Sequence, residues 1–171
     1  VKEWLSHAPG FHALYTLRAI HFERIYDDIL THASLPPFRE PVDADAASVL
    51  ERYMGGTVIV EEDAFFLRTS DGDLVFALVA EGICRLGLLW LLLQNGSLPP
   101  GSVLFWDEPE TNLNPKLYGV VVSVLLDLQR NGVQVFLATH DYVSLKELDL
   151  QSTPEDKITY HSLHRDEETG E

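Results

Sequence analysis

Two apolar runs, "SVLFWDE" at 102–108 and "VQVFLATH" at 133–140, constrain this chain more than anything else in it. Each has strand length, each ends in polar residues, and the 24 residues between them (109–132) hold a helical pattern: Leu117, Val120, Val121, Val124, Leu125 and Leu128 form one stripe, with Ser123, Asp127 and Arg130 opposite. Pro115 suits the helix start and Asn131-Gly132 its end. Near-continuous apolar strands joined by such a helix form a βαβ unit, with parallel strands, both buried, and a right-handed crossover. Both strands then finish at one sheet edge, where open parallel sheets bind ligands. That edge carries Asp107-Glu108 and Thr139-His140-Asp141. Carboxylates there can hold a hydrated cation and orient water.

The rest of the chain has three textures. From Phe11 to Ile29, apolar residues recur at threes and fours, predicting a helix begun at Pro9-Gly10 and stopped by Leu35-Pro36-Pro37; a second helix is expected over Ala46 to Met54, capped by Asp43 or Asp45 and ended by Gly55-Gly56. Residues 57–79, rich in β-branched and aromatic side chains, predict an antiparallel meander with a tight hairpin at Asp71-Gly72. "EGICRLGLLWLLLQNG" is too long for a strand and reads as a buried helix, on which Glu81 and Arg85 can pair. A short helix near Tyr142 to Glu147, a strand "KITYHSL" and a solvated tail "RDEETGE" complete the pattern. The divisions are thus 1–56 helical, 57–79 meander, 80–164 a half-domain containing the βαβ unit, and 165–171 acidic tail.

Composition narrows the function. Lys+Arg 12 against Asp+Glu 27 gives a formal charge of -15, which opposes phosphate backbones and anionic lipid. Nucleic acid is therefore a poor partner. The single cysteine, Cys84, excludes an intrachain disulfide and a Cys-rich zinc site and suits a reducing, cytoplasmic setting. The apolar run Leu86 to Leu93 is far short of the ~20 residues that span a bilayer, so no membrane role is expected.

At four places the sequence resembles the ATP-binding domain of ABC-type ATPases, in the SMC, RecF and OLD-like branch labelled AAA-family ATPases. "AEGICRLGLLWLLL" resembles the signature motif opening its helix, "VLFWDEPE" the Walker B strand, "TNLNP" the D-loop and "FLATHD" the switch-histidine strand. All four occur in the family's order and at its spacings, over roughly Ala80 to Leu148. The fold class this implies is α/β: the parallel-sheet core of a P-loop NTPase half-domain with an N-terminal helical segment and an antiparallel meander.

The resemblance assigns roles. Asp107 would bind magnesium through water, and Glu108 would orient the water that attacks the terminal phosphate of ATP. His140 would reach the γ-phosphate. Asn112 and Asn114 would lie in the D-loop, with Pro109 fixing the strand's exit. The amides at Glu81 and Gly82 would face the phosphate of an ATP held by a second copy, in a head-to-tail dimer. Two departures qualify this. Ala80 stands where the broad family has a serine, which removes a hydrogen bond to charge worth roughly 1.5–3 kcal/mol. The Walker A loop, G-x-x-x-x-G-K-[ST], is missing: Gly82 and Gly87 have the spacing, but Leu88 and Leu89 occupy the Lys and Ser/Thr places. With Val1 at the start rather than methionine, this leads to the expectation that residues 1–171 are the C-terminal half of such an ATPase. The P-loop half or a partner subunit would supply the rest, and the chain alone would bind nucleotide weakly and turn over negligibly.

Each residue also has a plainer reading. Asp107-Glu108 can be a polar strand end, Glu81-Gly82 a helix start, Asn112 and Asn114 turn formers, His140 a helix-flanking side chain, and Trp4, Trp90 and Trp106 core or interface. His161 and His164 as a metal pair are disfavoured, because residues three apart on a strand face opposite ways. At the level of function the rivals are a non-catalytic interaction module and, on weaker grounds, a magnesium-dependent nuclease using Asp107, Glu108, Glu110 and His140. The effector that an ATP cycle would serve is not encoded here. A half-domain should also leave apolar faces uncovered, and so self-associate or need a partner.

Overall fold

The structure, a computed structural model, describes residues 24–37, 43–61 and 64–163. Its elements run α1 (Arg24–Ala33), α2 (Ala44–Met54), β1 (Gly56–Glu61), β2 (Ala64–Thr69), β3 (Gly72–Val75), α3 (Glu81–Gln94), β4 (Val103–Asp107), α4 (Tyr118–Arg130), β5 (Gln134–Ala138) and α5 (Tyr142–Gln151). Strands β1, β2 and β3 form an antiparallel sheet in that order, and β4 pairs with β5 in parallel. The start of the first expected helix, Trp4, His164 and the tail lie outside the described residues.

The local signals behave as their chemistry requires. Asp43 caps α2 by accepting from the Ala46 amide at 2.9 Å, and Gly55 closes it in the left-handed region at φ 73. Helix α3 is buried on most of its circumference, through Cys84, Leu86, Leu89, Trp90, Leu91 and Leu93. Trp90 donates its indole N–H to Glu51 on α2 at 2.9 Å, and Asn95 donates to the carbonyl of His32 at the end of α1. At Gly87 a Cβ would stand 2.9 Å from both Phe76 and Val58, so the missing side chain is what lets α3 lie against the meander. The common core gathers Leu50, Phe65, Phe76, Leu86, Leu93, Val124 and Leu128. No helix among the described residues is long and apolar enough to cross a membrane.

Four expectations need correction. The hairpin loop is Ser70-Asp71, with Gly72 already paired opposite Thr69; Gly72 sits at φ 127, and Thr69 Oγ1 donates to its carbonyl at 2.9 Å. The meander's last strand stops at Val75, and Phe76–Leu78 form a 3-10 turn that sinks Phe76 into the core. Residues 157–163 form no strand: no sheet edge among the described residues pairs with them, and the segment runs largely exposed just after Asp156 is pinned by Arg130 at 2.8 Å. The strand geometry used against a His161–His164 metal pair therefore falls away, and His164 lies outside the described residues.

The fourth correction concerns burial. β4 and β5 are covered on one face only. Leu104, Trp106, Val135 and Leu137 pack against the core, whereas Val103, Phe105 and Phe136 are exposed, Phe105 by 74%. Their apolar continuity anticipates a second covering layer that the described residues do not supply.

Candidate active site at the shared strand edge

The parallel register pairs Trp106 with Leu137 and Asp107 with Ala138, so the two strands finish level. One further bond continues the ladder, from the Glu108 amide to the Ala138 carbonyl at 2.8 Å. Glu108 then turns out of the sheet at φ 46, in the left-handed region that a non-glycine residue rarely occupies. Arg85 on α3 holds that turn by donating from Nη1 to the Glu108 carbonyl at 2.8 Å, while its other terminal nitrogen stands 3.5 Å from Glu81. The expected Glu81–Arg85 pair is present, and it also ties the helix to the strand exit.

The left-handed turn presents the Glu108 carboxylate to two groups. Oε1 lies 3.0 Å from His140 Nδ1, and Oε2 accepts from Thr111 at 2.9 Å. A carboxylate has about four acceptor positions, so both oxygens keep capacity for a water. Asp107 is exposed beside it, and His140 is largely in solvent, with 80% of its side chain accessible. The sequence-predicted pair Glu108 and His140 is thus in contact, with Asp107 at the same strand end.

The predicted helix-start residues are placed differently from one another. Ala80 caps α3 without a side-chain bond, leaving the first amides of the helix without side-chain partners from the cap. Gly82 is buried and does not use glycine's conformational freedom. Its Cα faces the D-loop-like turn, and a Cβ would meet the Asn112 carbonyl at 2.6 Å. Close approach is therefore its structural reason. Asn112 occupies φ 60 and donates to Glu81 at 2.8 Å; Asn114 caps the 3-10 turn Pro115–Leu117 by accepting from Lys116. Both asparagines serve as turn formers within this chain.

The sequence reading named Glu110 and Thr139 without their contact, and did not single out Tyr118. Glu110 is buried, its Oε1 accepts from the Thr139 hydroxyl at 2.5 Å, and its Oε2 has no partner among the described residues. Thr139 accepts in turn from the Asp141 amide at 3.0 Å. Tyr118 lies close by, its phenol pushed above the usual pKa by burial first and then by the carboxylates of Asp141 and Glu110. Only the tertiary fold shows that the last residue of "DEPE" points inward.

The strand edge, with its paired glutamate and histidine, flanking aspartate and a turn packed on the start of a buried helix, lies in an α/β module that the family match marks as ATPase-like. The chain belongs to the family described as "AAA domain, putative AbiEii toxin, Type IV TA system", whose model matches residues 16–146. No curated protein matches it.

Proposed function

We propose that this chain is the half of an ABC-type ATPase, of the SMC, RecF and OLD-like branch, that supplies the hydrolytic carboxylate, the magnesium carboxylate and the histidine that meets the terminal phosphate. The observation that carries the reading is the 3.0 Å contact between Glu108 and His140 at the common end of two parallel strands. The donor set suits magnesium bound mainly by phosphate and water oxygens: Asp107 is an exposed oxygen ligand, and no three His, Cys, Asp or Glu side chains among the described residues form a metal cage. Magnesium bound there would neutralise charge developing on the terminal phosphate.

The chain's own residues do the following. Glu108 accepts a hydrogen bond from a water and aligns it, with Thr111 and His140 fixing the carboxylate plane. The Nε2 side of the His140 ring, free of the Glu108 contact, reaches toward the phosphate. Arg85 and the left-handed backbone keep Glu108 from rotating back into the sheet. A triphosphate still needs the amides and lysine of a P-loop, which these 171 residues lack. We therefore assign that part to another segment or chain docked on the open face of β4 and β5. The first amides of α3 would serve ATP held by a second, head-to-tail copy.

The test adds the P-loop half and measures ATP hydrolysis with magnesium. Turnover should appear on mixing and fall at least ~100-fold with Glu108→Gln. Turnover indifferent to that substitution would refute the assignment. The open apolar face equally suits a non-catalytic interaction module, whose partner binding would be unchanged by ATP, magnesium or Glu108→Gln.

A further inference from the structure

Between the exits of the two strands lies a relay of groups that the proposed chemistry does not use. Glu110 is 7% exposed, unusual for an acid, and sits three residues past the strand. The Thr139 hydroxyl spends its proton on Glu110 Oε1 at 2.5 Å and its lone pair on the Asp141 amide at 3.0 Å. Asp141 then accepts from the Ser144 amide at 2.7 Å and so caps α5. His140, the residue between Thr139 and Asp141, meets Glu108 through its ring. It is exposed, so burial does not hold its ring where it stands. What fixes its backbone on either side is this relay, anchored at the far end by Glu110.

Removing Glu110 would leave the Thr139 hydroxyl free to rotate, and the Asp141 amide would lose a fixed acceptor. The neighbouring cavity of about 10 Å³, lined by Glu110, Tyr118 and Ser144 among others, is about the size of one water, so the carboxylate has little room to adopt another pose. Resting on the ATPase reading above, we infer that Glu110 is a positioning residue: through Thr139 it latches the exit of β5 to the exit of β4 and thereby sets the distance between His140 and Glu108.

Two measurements decide it. In this chain without nucleotide, amide hydrogen exchange at Asp141 and Ser144 should quicken about tenfold or more in Thr139→Val and in Glu110→Ala, with α4 amides unchanged. Thr139→Ser, which keeps the hydroxyl, should retain protection, as should Glu110→Gln, which keeps an acceptor. The His140 Nδ1 resonance should respond to Glu108→Gln in the wild-type background and cease to respond with Thr139→Val. In the completed ATPase, Thr139→Val should lower kcat ~10–100-fold with KM for ATP within about threefold, Thr139→Ser should recover most of it, and Glu110→Ala combined with Thr139→Val should be no worse than the poorer single variant. Unchanged exchange at Asp141 in Thr139→Val, or acceleration spread evenly over α4 as well, overturns the latch. So does full turnover in Thr139→Val. If Glu108→Gln leaves turnover intact, the ATPase reading fails by itself, and the exchange and imidazole measurements still decide the latch.

Discussion

Glu108 sits at φ 46 because the chain must leave the ladder and turn its carboxylate toward His140 within one residue. A side chain in that region costs about 1 kcal/mol or more, and glycine avoids the cost. Substituting Glu108→Ala and Glu108→Gly removes the same carboxylate, so their difference isolates the backbone. The glycine variant should be the more stable by about 1 kcal/mol in urea unfolding. Equal stabilities would mean that the left-handed turn is not strained. Gly82 offers the opposite case, a glycine held by space rather than by φ. Because the obstacle to a Cβ is the Asn112 carbonyl, which is backbone, Gly82→Ala should cost about 1–3 kcal/mol and move the D-loop-like turn. At this scale the sequence located Asp107, Glu108 and His140 at the ends of two recognisable strands, and the structure has them at that common edge. The sequence could not show Arg85 reaching the Glu108 carbonyl or Glu110 folding under Thr139, because both contacts join segments 23 and 29 residues apart.

Among the elements, those defined by local chemistry were the legible ones. Asp43 and Gly55 bound α2, the stripe from Val120 to Leu128 buries α4, and the apolar length of α3 marks a core helix. The expected strand at 157–163 failed because alternation alone cannot make a strand without an edge to pair with. What holds the chain there instead is the Arg130–Asp156 pair, which closes α4 against the segment after α5. Arg130's hydrogen bonds to Asp156, followed by the Thr153 amide, hold this carboxyl well below the usual carboxylate range. The sign follows from that direction. A folded pKa below the unfolded value, about 3.9, means the contribution is complete above the unfolded value and disappears as pH falls through the folded one. Thermal unfolding followed from pH 7 down to pH 2 should therefore show Asp156→Asn with the lower Tm at neutral pH and a gap that narrows in acid. A constant gap would show that the pair's charge is irrelevant.

At the scale of the whole molecule, the exposed face of β4 and β5 and the charge of -15 pull in opposite directions. Phe105 and Phe136 stack at 4.8 Å across the two strands, with Val103 beside them, and an apolar sheet face of this kind favours being covered. Two copies brought together would each carry the same excess of carboxylates, so repulsion should hold them apart in dilute buffer and relax as salt shortens its range. Sedimentation should consequently find more self-association at 0.5 M salt than at 0.05 M, the reverse of an interface built on ion pairs. Phe105→Asp should abolish it at both, with a stability loss of only about 1 kcal/mol from the broken ring stack. The same substitution should block reconstitution with a P-loop half while leaving the Glu108–His140 contact intact, because Glu108 has already left the strand at φ 46 and is held by Arg85 and Thr111 rather than by Phe105. A chain that stays monomeric at high salt, or that reconstitutes fully with Phe105→Asp, would show that this face is not where the missing layer docks.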